Sequence, residues 1–295
     1  MARFLFIGIQ DDPHLLEVAD ALKQKGCEVN IANSRAFDTA DVAPKTLSQN
    51  TPFWNAIWVR YLPPLFPSAK VNFKAQEIQK QRAIRSFLIQ WLHEQNTKNV
   101  PVFPQLSNGT YDQYKNNDLS YADQAGIITP QTRCTLNMES ALSFIKDKRK
   151  NLIVKPLIGG AYATDLDLIN IEDYFTKWGP LILQERIFGQ NCRVLYFEKQ
   201  PLKAFIAPPL EEVDWRERAS LSWEHIELPQ KFQNKLFHFF KLSKHTMSSV
   251  DLIVNPENIY FLEANTTPSW LDLPTVYAEE QTHLVAQFFL DVTSS

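Results

Sequence analysis

Two apolar runs, Val250-Asp-Leu-Ile-Val254 and Ile259-Tyr-Phe-Leu-Glu-Ala-Asn265, flank the turn residues Asn255-Pro-Glu-Asn258. Both runs read as strands, and the turn between them reads as a hairpin connection. Yet each run holds a carboxylate, and a buried, unpaired carboxylate costs several kcal/mol. With residues 256–258 as the connection, Asp251 lies opposite Glu263, and period-2 alternation puts Asn265 on the same face. Two carboxylates and an amide oxygen on one face form an all-oxygen set suited to Mg2+, with substrate phosphates completing the shell. The competing reading is the solvated outer face of an ordinary hairpin. The pattern alone does not separate the two.

A chain of 295 residues has room for two or three packed units. Its 44% apolar and 21% charged residues match a globular protein. A net charge of −3 gives no reason to expect nucleic acid or an anionic membrane as partner. Cys27, Cys134 and Cys192 are odd in number, far apart and without CxxC spacing, which fits a reducing, cytoplasmic setting and no structural zinc. No apolar run reaches ~18 residues, so no membrane span is expected. The six histidines are scattered, with no HExxH.

Along the chain, residues 3–9 read as a strand. Residues 13–25 read as a helix with Leu15, Leu16, Ala19 and Leu22 on one face and Gly26 as its stop. Strands at 28–32 and 56–59 then imply a parallel α/β sheet in the first hundred residues. A long helix is expected at about 71–95, with Phe73, Ile78, Ile84, Phe87, Leu88, Trp91 and Leu92 as its apolar positions. No GxGxxG follows the first strand, so a dinucleotide site there is not expected. Helices are predicted at 112–125, 137–147, 229–243 and 276–290. Strands are predicted after Thr132, around Lys155, at 166–171 as a return strand, at 180–185, 192–198 and 202–207, and in the hairpin.

Lys155 interrupts the apolar run Leu152-Ile-Val-Lys-Pro-Leu-Ile158, where an amine needs an anion to be tolerated. Gly159-Gly160 follow, and paired glycines let backbone amides approach phosphate closely. The segment is not a P-loop, since GxxxxGK[ST] is absent. An edge strand with a snorkelling lysine and a plain turn is the alternative.

In order, these segments resemble the ATP-grasp ligases. The resemblance runs through Lys115 opening a helix, Gly126, and Thr129-Pro-Gln-Thr132. It continues through Val154-Lys155-Pro with its glycine pair, Leu183-Gln184-Glu185-Arg-Ile187 and Arg193, and ends at Asp251, Glu263-Ala-Asn265 and Pro268. It covers about 110–270. It implies an α/β chain (the α+β ATP-grasp architecture) in which a parallel N-terminal domain at 1–107 precedes a central and lid subdomain at 108–186. A C-terminal subdomain with the metal site would follow at 187–295, the last two sandwiching ATP. The resemblance assigns the adenine to the hinge Gln184 to Ile187, with Glu185 taking its exocyclic amine, and Asn191 to the ribose side. Lys115, Lys155, Gly159 and Gly160 would hold phosphates. Asp251, Glu263 and Asn265 would hold one or two Mg2+, with Mn2+ as the alternative. Arg193 and Arg216 would clamp an acylphosphate and a carboxylate, a role guanidinium geometry suits. Structural salt bridges are the other reading of both arginines.

Three departures stand out. Asn191 replaces the usual Asp two before Arg193, the 159–165 loop contains Tyr162 and no serine, and Thr-Thr-Pro-Ser-Trp270 follows Asn265. Asp214-Trp-Arg216, Leu221-Ser-Trp223, Ile57-Trp-Val-Arg60 and Trp270 are similar to the microviridin or graspetide peptide ligases, and ribosomal-protein glutamate ligases share the same skeleton. The resemblance implies a ligase joining a peptide or amino-acid-like carboxylate to an amine or hydroxyl acceptor. A phosphotransferase and a non-catalytic nucleotide- or peptide-binding module are the alternatives. The oligomeric state stays open. Because Asp251 and Glu263 repel without a cation, Asp251→Asn is expected to raise the stability of the metal-free protein.

Overall fold

Strand β1 (Arg3–Gly8) is buried from Phe4 to Gly8 on both faces instead of alternating, as expected for a central strand of a parallel sheet. The computed structural model describes residues 1–34, 53–62, 75–106, 115–148, 151–157, 163–209 and 221–293. In it β1 pairs in parallel with β2 (Glu28–Asn33) and β3 (Ala56–Val59), and β3 pairs with β4 (Val102–Phe103). Helix α1 (Pro13–Gln24) begins with proline behind an Asp12 cap, whose side chain accepts the His14 amide at 2.9 Å. It ends before Gly26, at φ +79°. Leu15, Val18, Ala19 and Leu22 form its buried stripe; Leu16, expected there, is 43% exposed because it lies one residue off the i, i+3, i+4 track. Helix α2 (Ala75–Thr97) packs Leu88 and Leu92 against Leu5 and Ile7. Phe87 points outward, and Phe73 lies outside the described residues.

The second sheet has the order β5-β8-β6-β7, built from β5 (Thr132–Thr135), β6 (Leu152–Pro156), β7 (Thr164–Asp165) and β8 (Leu181–Glu185), all antiparallel. Helix α3 (Lys115–Gln124) precedes it, and α4 (Met138–Lys148) lies between β5 and β6. The return strand expected at 166–171 is not formed. Only Thr164 and Asp165 pair with β6, residues 166–168 make a 3-10 turn, and α5 (Ile171–Trp178) follows. Asn170 decides this locally, accepting the amides of Glu172 and Asp173 at 2.9 and 3.1 Å and so satisfying two helix-start donors.

The third sheet runs β11-β10-β9-β12-β13, with β9 (Gln190–Phe197), β10 (Lys203–Ala207), β11 (Glu224–Ile226), β12 (Met247–Val254) and β13 (Ile259–Asn265). Alternation sorts its two faces. Val194, Val250 and Leu252 pack with Leu236 and Phe239 of α6 (Gln230–Ser243). Leu195, Phe197 and Phe205 join a second core with Phe4, Phe6 and Trp58 of the first sheet. Helix α7 (Thr275–Thr293) closes that core: Phe289 lies 5.8 Å from Phe4 and 5.4 Å from Phe6, between ring centroids. No described helix is long and apolar enough to cross a membrane.

Candidate active site

The hairpin does bring Asp251 opposite Glu263, by a different route from the expected one. Val254 pairs with Ile259, so the turn is four residues long, not three. Asn255 holds it closed, its side-chain oxygen accepting the amides of Glu257 (3.1 Å) and Asn258 (2.8 Å). That turn alone would put Leu262 across from Asp251. A bulge at Leu262 inserts one residue on β13, pairing Leu252 with Phe261 and then Asp251 with Glu263. Asn265 Nδ2 donates to Glu263 Oε1 at 3.2 Å and reaches Asp251 Oδ2 at 3.5 Å. A half-turn of that amide would present its oxygen in place of the nitrogen, completing an all-oxygen set.

Arg193 reaches the same place from β9, in register with Asp251. Its Nε donates to Asp251 Oδ1 at 3.1 Å and its Nη1 to Asp272 Oδ2 at 3.4 Å. Trp223 Nε1 donates to the same Asp272 oxygen at 3.3 Å, and the guanidinium carbon sits 5.3 Å from the Trp223 ring centre. With a side chain only 4% exposed, Arg193 takes part in an ion-pair network and also touches a proposed metal ligand. Asn191, two residues earlier, pairs with Ile253 and Ala207. The sequence reading did not single out Asp118, in the first turn of α3. Burial, and then the charge of Glu263, push its carboxyl up to about 7. His245 lies 3.6 Å from Asp118, and burial pushes its imidazole down to about 4.

On β8, Leu181 and Leu183 enter the core under α4 and α5, so Ile182 and Gln184 face the opposite side. Lys155 pairs with Ile182 and Ile153 with Gln184, which puts Lys155 on that same side. Gln184 is buried. Its Nε2 donates to Thr132 Oγ1 at 2.9 Å, while its Oε1 is buried without a partner among the described residues. Such an orphan acceptor calls for a donor from outside the chain or from water. Glu185 has its amide bonded to the Gln131 carbonyl and its carboxylate to the Gln131 amide, and Ile187 follows in the connection to β9. Gly159, Gly160 and Arg216 lie outside the described residues, as does the side chain of Lys115, whose backbone opens α3.

The loop after Asn265 is tied to the first sheet by a buried latch. Arg60 Nε donates to Asp12 Oδ2 and its Nη1 to the Pro268 carbonyl, both at 2.8 Å. The guanidinium lies 5.3 and 5.8 Å from the rings of Trp58 and Trp270, which are parallel to within 12°. His14 Nε2 accepts the amides of Trp270 (3.2 Å) and Leu271 (3.4 Å), so the ring proton sits on Nδ1, facing Asp12 Oδ1 at 3.3 Å. Burial lowers the His14 pKa. Burial alone would raise the Asp12 carboxyl, but the His14 hydrogen bond and the Arg60 charge hold it well below the usual carboxylate range.

No family model matches the chain, and no curated protein matches it by sequence. Solved structures do match. The macrocyclase MdnC from Microcystis aeruginosa MRC, bound with precursor peptide MdnA, aligns over 98% of this chain and 99% of its own, at 17% identity and a TM-score of 0.76. The ATP-grasp ligase PsnB, complexed with minimal precursor, aligns over 99% of both chains at 20% identity and a TM-score of 0.77; PsnB has also been solved with minimal precursor, Mg and ADP. A RimK-domain ATP-grasp protein from Sphaerobacter thermophilus aligns over 98% of this chain and 100% of its own, at 13% identity and a TM-score of 0.65. At these identities the likeness is one of architecture, from the N-terminal parallel sheet through to the last helix. The chain has the ATP-grasp fold.

Proposed function

We propose that this chain is an ATP-dependent ligase that activates a peptide or amino-acid-like carboxylate as an acylphosphate and joins it to an amine or hydroxyl acceptor. The observation that supports this most is the Asp251–Glu263 pair with Asn265 beside it, anchored by Arg193. It occurs on a fold whose solved examples include PsnB with precursor, Mg and ADP. The residues also fit a nucleotide. The orphan Gln184 Oε1 suits the exocyclic amine of adenine, a role given above to Glu185, and Lys155 on the same side suits a phosphate oxygen. In this reading the chain keeps the partition 1–107, 108–186 and 187–295, with ATP between the last two parts.

Asp251, Glu263 and Asn265 would hold Mg2+, which offsets the charge of the β- and γ-phosphates during phosphoryl transfer. Lys115 and Lys155 add positive charge, Gly159 and Gly160 give backbone access to phosphate, and Asn191 stands on the ribose side. Arg216 orients the activated carboxyl. Arg193, already committed to Asp251 and Asp272, fixes the direction of the metal-site carboxylate. The test is an ADP-release screen over candidate carboxylates and acceptors with intact-mass detection of product. Release only with both co-substrates supports ligation. Release with one alone supports a phosphotransferase, and absence of Mg-ATP binding by calorimetry returns the chain to the binding-module reading.

A further inference from the structure

Asp272 stands one step beyond the proposed metal residues, on the far side of Arg193, and has so far served only to hold that arginine. Its Oδ2 is occupied twice, by Arg193 Nη1 at 3.4 Å and by Trp223 Nε1 at 3.3 Å. Its Oδ1 makes no hydrogen bond among the described residues, and the side chain is 36% exposed, against 4% for Arg193. The carboxylate is therefore held in direction by two buried donors, while Oδ1 has no partner among the described residues. Its backbone is held as firmly: the neighbouring amides of Trp270 and Leu271 bond to His14, and Arg60 bonds to the Pro268 carbonyl. A surface carboxylate with a merely structural role does not need this two-sided support. A preorganised anion beside a reaction centre is suited to receiving a cation.

We infer that Asp272 is the anchor for the acceptor and that the acceptor is an alkylamine, which makes the product an amide and not an ester. This rests on the ligase reading above. An alkylamine is an ammonium at neutral pH, with an ordinary pKa of about 10.4, and must lose protons to attack, whereas a hydroxyl brings no charge to attract a carboxylate. The ammonium docks on Asp272 Oδ1 and gives one proton to water. Its nitrogen lone pair then forms the C–N bond at the acyl carbon, the C–O bond to the phosphoryl group breaks, and phosphate leaves with that electron pair. The second nitrogen proton passes to Asp272 Oδ1 and returns to solvent after the amide departs.

The test separates activation from acceptance. Glu- and Asp-containing synthetic peptides are offered with Mg-ATP and hydroxylamine, which is uncharged at neutral pH and traps acylphosphates as hydroxamates. The active donors are then paired with N-acetyl-lysine methylamide or N-acetyl-threonine methylamide. The expected result is amide from the lysine probe in the wild type, and an amide-to-hydroxamate ratio reduced about a hundredfold in Asp272→Asn. The variant's remaining amide formation should climb with pH as free amine accumulates, and Asp272→Glu should recover part of the ratio. Asparagine keeps an acceptor for Arg193 and Trp223, so melting temperature serves as the folding control. Equal loss of hydroxamate and amide, or a wild-type preference for the threonine probe, overturns the assignment of Asp272. No hydroxamate from the wild type with any donor overturns the ligase reading, and the inference with it.

Discussion

Replacing Arg60 by methionine removes the guanidinium while keeping an apolar stem between the two indoles. Three interactions go at once: the charged hydrogen bond to Asp12, the bond to the Pro268 carbonyl, and the stacking on Trp58 and Trp270. Separately, a hydrogen bond to a charged group contributes about 1.5–3 kcal/mol and an unsatisfied buried group costs about 1–3 kcal/mol. Each ring contact adds about 0.5–2 kcal/mol. These do not sum, because Asp12 keeps its His14 partner. Breaking one side of a buried pair typically costs about 3–5 kcal/mol, and that is the expected loss. Urea unfolding followed by tryptophan fluorescence measures it, since Trp58 and Trp270 are themselves part of the latch. The double variant Arg60→Met/Asp12→Asn should regain about 1–3 kcal/mol, because the stranded carboxylate is gone. A loss under about 1 kcal/mol for the single variant, or no recovery in the double, would refute the latch as the tie between the first sheet and the 266–273 loop.

Glu263→Gln should abolish ADP formation while leaving the melting temperature within a few degrees, because it removes anionic charge and keeps shape; wild-type turnover would remove Glu263 from the metal site. Asp251→Asn, expected from repulsion alone to stabilise the metal-free protein, should instead destabilise it by about 1–2 kcal/mol, since Asp251 is the partner of a buried arginine; a raised melting temperature in EDTA would contradict the pairing. His14 is neutral in the folded state and takes up a proton near pH 6.5 once unfolded, so its contribution is present at pH 7.5 and is lost as pH falls below about 6.5. His14→Asn should flatten, without erasing, the drop in melting temperature between pH 7.5 and 5.5, because His245 acts in the same direction. Gly189→Ala should cost about 1–3 kcal/mol in thermal unfolding, since its Cβ would fall 2.5 Å from the Val254 carbonyl oxygen and 2.7 Å from Ile253 Cγ2.

Local patterns in the chain carried most of its elements. Proline after Asp12 and glycine at 26 bracket α1, and the apolar runs around Lys155, Gln184 and Asp251 mark strands that form where expected. The Asp251–Glu263 pairing was also legible, although two offsetting shifts produced it: a turn one residue longer and a bulge at Leu262. Helix α5 is readable in the sequence, with Asn170 as cap, Glu172 and Asp173 in the first turn and Gly179 at its end; the strand expected at 166–171 reaches only its first residue, Ile171, and no element is expected at 172–179. What sequence spacing could not show was long-range convergence. Arg60 meets Pro268 across 208 positions and His14 meets Trp270 across 256, and Asp272 had no motif to mark it. Those contacts come from packing α1 and α7 on the same sheet, which no local window contains.

The shared core of β1 and α7 also sets an order of events during synthesis. Phe4 and Phe6 are made long before Val285, Ala286 and Phe289, which share their core. At about 5–20 residues per second, roughly 15–60 s separate the two on a ribosome. Until α7 arrives, one face of the first sheet lacks part of its cover, since α1 and the third sheet supply only the rest, and its aromatic side chains are available to chaperones or to other nascent chains. The first sheet, which looks from its strand–helix–strand pattern like part of a unit able to fold alone, therefore depends on α7. A fragment that stops before Thr275 would strip Phe289 from Phe4, Phe6 and Trp58 together and would be expected to aggregate while its second sheet stayed intact.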